Sequence, residues 1–454
     1  RLGQGLDSES SLARRLVKRI RLPRIFFGWW TVLAGGILAL WGYGYQAYGI
    51  SALFKPISEE LGFSRAGTSV AASIGRFEGG FEAPIVGWVT DRFGPRWVVF
   101  GGTFVIGLAL ILMNFVNSLW AYYLIWGVLL GTGANVALSV PVDTAIANWF
   151  VRKRGTALSI KWMFSGLSGV VALPLIAWMI TAQGWRMTCV IGGLVMLVVG
   201  LPLAWFCLRQ RRPEYYGMLP DGAKTEGEAL DVDQLIERGV AYAAEVDEVE
   251  FSVKQVFRTR VYWLLVAING CHGLVGGAIN IHTIPFLTDL GIDPLAAAGM
   301  MVVMISASIP ARVFGGIVAD RLKTGRLRFI LWGAYLLQLV GIGLFLLEPT
   351  LAMIYVWYIL YGVGIGAAYV MTPLIRARYF GRKAFGSIHG VTALILTPFG
   401  VVAPVYAGWV YDTTGSYMSA FTLFAGLLAL AIVLITFAAP PKPPAVIGDI
   451  RKIV

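Results

Sequence analysis

Gly87-Trp88-Val89-Thr90-Asp91-Arg92-Phe93-Gly94-Pro95-Arg96 is a short polar interruption between two apolar stretches, and its elements return later in the chain. Gly87, Asp91 and Arg92 recur as Gly316, Asp320 and Arg321, while Phe150, Arg152, Lys153 and Pro174 recur as Phe380, Arg382, Lys383 and Pro404. Order is preserved, and each coincidence falls at the second-to-third or fourth-to-fifth apolar segment of its half. Such a register is expected of two six-helix halves related by an axis along a membrane normal. The chain therefore reads as an all-α membrane protein with twelve transmembrane helices in two pseudo-symmetric six-helix bundles.

Composition points the same way. Of 454 residues, 57% are apolar and 14% charged, with a mean hydropathy of +0.72, against roughly a quarter charged in a soluble domain. Residues 98–115 and 418–438 carry no Lys, Arg, Asp or Glu, as a hydrocarbon layer about 30 Å thick requires. Spans are expected at residues 26–50, 66–90, 97–116, 119–147, 155–181, 185–208, 259–287, 294–320, 328–347, 350–376, 384–410 and 415–438. They divide the chain into a basic N-terminus (1–25), an N-terminal bundle (26–208), a linker (209–258), a C-terminal bundle (259–438) and a tail (439–454). A net charge of +12 would suit nucleic acid only if gathered on one folded surface, and here the cations sit in short runs between apolar segments. Cys189, Cys207 and Cys271 show neither metal-ligand spacing nor a disulfide pattern and read as packing residues.

Charge also orients the chain. Of 37 Lys and Arg, only Lys55, Arg65 and Arg186 fall in the loops of one side. The other side, with both termini and the linker, is expected in the cytoplasm of a multi-pass protein of the plasma (inner) membrane. The basic stretch from Arg14 to Arg24 runs into a full span without a small-residue cleavage site, so no removable signal is expected. Leu12, Leu16 and Ile20 among Arg14, Arg15, Lys18 and Arg19 suit an amphipathic anchor on the lipid bilayer. The linker mixes acids and bases and reads as a solvated, flexible connection.

The stretch from Gly87 to Arg96 resembles the cytoplasmic loop signature that the major facilitator superfamily carries between its second and third spans. The resemblance implies the major facilitator fold and a gating role for Asp91, Arg92 and Arg96, and for Asp320 and Arg321 in the second copy, which inserts two residues before its glycine. A tight loop with an acid and cations at a helix end can latch neighbouring helices in one conformation and release them in another. Trp149-Phe150-Val151-Arg152-Lys153-Arg154-Gly155-Thr156-Ala157-Leu158 resembles the segment entering the fifth span of monocarboxylate transporters. His282-Thr283-Ile284-Pro285-Phe286-Leu287-Thr288-Asp289-Leu290-Gly291 is similar to the end of span seven in their bacterial relatives, which include oxalate:formate antiporters.

Three cations fall well inside the expected spans, away from their ends: Arg76, Lys161 and Arg312. Arginine stays charged, and placing it mid-span costs at least ~2.5–3.5 kcal/mol, so something must compensate it. Arg312 lies about 12 Å from the Asp320 end of its helix, at mid-membrane depth. A guanidinium fork matches a carboxylate, and the resemblance places a substrate-binding arginine at this point. The aspartate of monocarboxylate transporters one turn earlier is Ser308 here, and their first-span lysine is absent. The span-eleven lysine of oxalate antiporters also has no counterpart, His389 being the ionisable residue of that region. One fixed arginine suits a monocarboxylate better than a dianion.

By analogy with the superfamily, spans one, four, seven and ten surround the cavity and offer Tyr45, Asn135, Asn280, His282, Tyr358 and Tyr361 as contacts. Asp143 and Lys161 lie at matching depth on consecutive antiparallel spans and are expected to form a buried ion pair. Glu78 and Glu82 share one face of span two at i,i+4. Two carboxylates so close do not both ionise readily, which makes them proton-carrier candidates. Glu82 comes first, because the repeat maps it to position 311, beside Arg312.

An enzyme would need a nucleophile, metal cluster or nucleotide loop, and the sequence carries none of the motifs for these; no metal or other cofactor is expected. The reading is a secondary active transporter of small organic anions, foremost lactate- or pyruvate-like monocarboxylates. It would work as a monomer by alternating access, with a proton or counter-anion as partner. Anion exchange of the oxalate:formate type and efflux of drugs or other solutes are the alternatives. A mid-span Arg312 opposes the second, since it would repel lipophilic cations.

Overall fold

Apolar length decides which segments become helices, and glycine, proline and hydroxyl side chains decide where they stop. The computed structural model describes residues 25–63, 65–223, 231–244, 249–347 and 350–442. Among them, nine stretches are long and apolar enough to cross a membrane. One, Arg154–Cys207, turns back at Gly184 (φ 82°, ψ 162°) and so supplies spans five and six; a side chain resists that backbone conformation. Span one comprises Phe27–Tyr43 and a π-helical turn at Gly44–Gly49, and its helix runs on past the membrane as Ile50–Leu61. Span two is Arg65–Phe93, less apolar because it carries Glu78 and Glu82. Spans three and four are Pro95–Leu112 and Leu119–Trp149. After the linker come Arg260–Asp289, Pro294–Asp320, Leu327–Leu347, Leu351–Phe380, Phe385–Thr414 and Met418–Phe437, spans seven to twelve. Ser118, Thr259 and Thr350 cap their helices by accepting the backbone N–H three residues on, which satisfies a donor the helix itself leaves free.

Three features depart from the sequence expectation. Lys55, expected in a loop, lies in the helical extension of span one and pairs with Glu59 at 3.7 Å on its exposed side. Span ten runs four residues further, to Phe380, so Arg376 and Arg378 are helical and buried. The described part of the linker is also packed. Buried Glu214 pairs with Arg382 at 3.3 Å, and the Asp221 carboxylate accepts the N–H groups of Val151, Arg152 and Lys153 at 2.8–3.1 Å. A charged segment reads as solvated unless its partners are known, and here they lie far away in sequence. The N-terminal amphipathic stretch and the tail from residue 443 lie outside the described residues.

The halves meet through spans two and eleven and through spans five and eight. A Cβ on Gly87 would lie 2.1 Å from the Gly386 carbonyl oxygen, and one on Gly155 2.5 Å from that of Gly316. Backbone therefore touches backbone at two equivalent places on the face that carries the linker, as small residues allow.

Candidate substrate-binding site and gate

The two aspartates of the repeated motif stand beside these glycine contacts. Asp91 accepts the backbone N–H groups of Gly386 and Ser387 at 3.1 and 2.7 Å and the Ser387 hydroxyl at 2.7 Å. Asp320 accepts the N–H groups of Gly155 and Thr156, both at 2.7 Å. Each carboxylate thus crosses to the opposite half and caps the first turn of a helix there, where free N–H groups and the helix dipole favour an anion. The extra residues of the second copy leave this contact intact. The arginines do something else. Arg92 lies over the rings of Trp88 and Phe93 at 5.3 and 5.6 Å, Arg96 donates to the Leu208 carbonyl at 2.9 Å, and the Arg321 side chain is exposed.

Deeper in, a break in span four creates a helix start inside the membrane. Ser139 (φ −111°, ψ −90°) separates Gly131–Leu138 from Val140–Trp149, whose first turn holds Asp143. Lys161 of span five meets this carboxylate at 3.0 Å, and neither side chain is exposed. The Lys161 ammonium also lies 3.7 Å from the Trp162 ring centroid.

Trp162 links this pair to Arg312. Its carbonyl accepts from Arg312 Nη1 at 2.6 Å, and its ring stacks on Tyr369 at 5.7 Å and 17°. The Arg312 guanidinium lies 5.1 Å from the Tyr369 centroid, and Tyr48 of span one is within electrostatic reach of both. Gly166 makes room, since a Cβ there would lie 3.1 Å from Nη1. Arg312 is only 4% exposed, has no carboxylate within ion-pair distance among the described residues, and keeps a buried Nε with no acceptor. Tyr369 is 42% exposed although deep in span ten, so the ring beside the guanidinium borders open space. A fixed cation with an unused donor, beside the Tyr369 face and its stacked Trp162, can hold a carboxylate and an apolar body together.

Other residues singled out in the sequence lie elsewhere. Tyr45 is buried between spans one and six, donating to the Thr188 carbonyl at 2.8 Å. His282 uses both ring nitrogens within the C-terminal half, on the Pro404 carbonyl at 2.8 Å and the Tyr417 hydroxyl at 3.3 Å. Tyr358 and Tyr361 are fully buried, with hydroxyls that have no partner among the described residues. The Asn280 and Arg76 side chains are outside the described residues. Asn135 faces span two, donating to the Gly75 carbonyl at 3.2 Å and Glu82 at 3.4 Å, while Thr132 donates to Glu78 at 2.8 Å. The two glutamates therefore turn toward span four, whereas Arg312 turns toward span five. Sequence reading missed Trp162 and Arg376. The first lay among many aromatics, and Arg376 stood at the edge of its expected span.

Comparison with known proteins agrees with this architecture. The family model described as "Major Facilitator Superfamily" matches residues 33–404. Monocarboxylate transporter 13 of Rattus norvegicus is 26% identical over 428 residues, covering 93% of this chain and 91% of its own. The probable sulfoacetate transporter of Cupriavidus necator is 24% identical, covering 88% and 93%. Among solved structures, the proton:xylose symporter XylE aligns with a TM-score of 0.69 at 10% identity over 90% of this chain and 95% of its own. The fucose:proton symporter FucP of E. coli gives 0.64 at 14% over 90% and 98%. The chain is a multi-pass membrane transporter rather than an enzyme, and it belongs to the major facilitator superfamily.

Proposed function

We propose that this transporter carries small organic anions, foremost monocarboxylates, by alternating access, and that Arg312 clamps the carboxylate. The observation that carries this reading is a buried arginine with no acid partner among the described residues, beside the exposed Tyr369 ring. The relatives named as monocarboxylate and sulfoacetate transporters support the substrate class, since both names denote acids. The linker face is the cytoplasmic one, held shut in this conformation by Asp91 and Asp320. Glu78 and Glu82 serve as the proton carriers, and the protein works as a monomer in the plasma (inner) membrane.

Counterflow of a panel of labelled organic acids in proteoliposomes tests the reading. Arg312→Ala should insert and fold while binding weakens by ~2–5 kcal/mol, the range for removing one partner of a buried charged contact. Arg312→Lys should restore little, because the fork is lost. Near-normal flux in Arg312→Ala would remove the assignment. Exchange of the oxalate:formate type is the second reading, favoured if flux requires an anion on the far side.

A further inference from the structure

Among the described residues, more cations than acids are buried, and they do not sit at one depth. Arg312 lies eight residues from the end of span eight and Arg376 four from the end of span ten, so Arg376 is about 6 Å nearer the linker face at 1.5 Å per residue. Arg376 is 7% exposed, spends its Nε on the Thr372 carbonyl of its own helix at 3.3 Å, and forms no ion pair among the described residues. Asp143 is the carboxylate within its electrostatic reach, and Asp143 is already engaged by Lys161. Across from Arg376 stands His389 of span eleven, within reach of Arg376 and Lys161. Its Nδ1 is buried without a partner among the described residues. On the linker side, Ala377 packs with Ala147 and Phe385 from the other spans, so this group of residues lies behind the closed gate.

A buried guanidinium lacking its own counter-ion is costly, and an anion placed among these donors relieves that cost. We propose that Arg376, with His389 and the Asp143–Lys161 pair, forms a second anion station that receives the carboxylate of the transported acid between Arg312 and the linker face. Carboxylate is the ligand class because Arg376 lies on the linker side of Arg312, so an anion that leaves the Arg312 guanidinium inward next meets a second buried cation that forms no ion pair among the described residues. The station rests on the organic-anion reading but assigns a residue on which that reading does not depend.

The test is uptake of labelled lactate by full-length protein in proteoliposomes sorted by orientation. Arg376→Gln should raise the half-saturating lactate concentration at the linker face at least tenfold and leave it within twofold at the opposite face. Arg376→Lys, which keeps the charge, should recover most of the linker-face affinity. A role confined to bracing Asp143 would move both faces together, and that result, or no change at either face, overturns the station. Arg312→Ala distinguishes the parent reading: it should weaken both faces. If Arg312→Ala were silent while Arg376→Gln kept its one-sided effect, the central assignment would fail and the station would stand.

Discussion

Removing the Asp320 carboxylate should open the linker face. Asp320 receives two short N–H bonds from the first turn of span five. Bonds to a charged group contribute roughly 1.5–3 kcal/mol each. Taking the lower figure, because the released groups regain water, Asp320→Ala costs the closed state about 3 kcal/mol, or roughly a hundredfold in the open-to-closed ratio. Asp320→Asn keeps one acceptor oxygen but turns an NH2 donor toward the other backbone N–H, so it should lose half of that, ~1.5 kcal/mol, and remain milder than Asp320→Ala. Ser159 is buried beside Gly316 in the same contact, so a Ser159→Cys reporter reads the opening by its rate of maleimide labelling from the linker face. Labelling should accelerate strongly in Asp320→Ala and modestly in Asp320→Asn. Asp91→Ala should act similarly and additively, since its contact lies on a different helix pair. An unchanged labelling rate in folded Asp320→Ala would refute the reasoning.

Other outcomes follow from the same geometry. Lys161→Met and Asp143→Asn should each lower thermal stability by ~3–5 kcal/mol, as for breaking a buried ion pair. The charge-swapped double should recover part of the loss; melting in detergent reads all three. Glu82→Gln should abolish pH-driven uphill uptake while preserving exchange at equal concentrations, and persistent uphill uptake would move the proton to Glu78 or to an anion-exchange cycle. On the opposite face, the Arg186 hydrogen bond holds Glu60 below the usual carboxylate range. Its stabilisation is present above the unfolded value near 4.3 and lost as pH falls through the lower folded value. Glu60→Gln should therefore flatten stability against pH in that acid window.

The fold was legible because a bilayer leaves few solutions: apolar length, a repeated loop and cation asymmetry constrain twelve helices strongly. The candidate site was legible only where one charge stood against its surroundings, as Arg312 does at mid-membrane depth. Asp143 and Lys161 could be matched by register, since depth along a helix is countable from its end. The partners of Asp91 and Asp320 could not be read, because each carboxylate caps a helix of the other half and nothing local signals that docking. Tyr45 and His282 carry suitable chemistry but turn into their own halves, since residue type does not specify which face of a helix meets the cavity.

The repeat also separates what must be symmetric from what cannot be. Opening and closing are reciprocal motions of two equivalent halves, so a latch in one half needs its equal in the other. Asp91 with Gly386 and Ser387, and Asp320 with Gly155 and Thr156, satisfy that need. A small organic anion has no such two-fold symmetry, and a site that fits it has to break the repeat. It does so at each charged interior position: the repeat register carries Asp143 to Pro373, Lys161 to Val391 and Arg376 back to Ile146. Gating should accordingly survive exchange of equivalent latch residues between the halves, whereas moving Arg312 to its counterpart position in span two should not restore binding. Trp162 and Tyr369, the faces that complete the Arg312 site, would not accompany it.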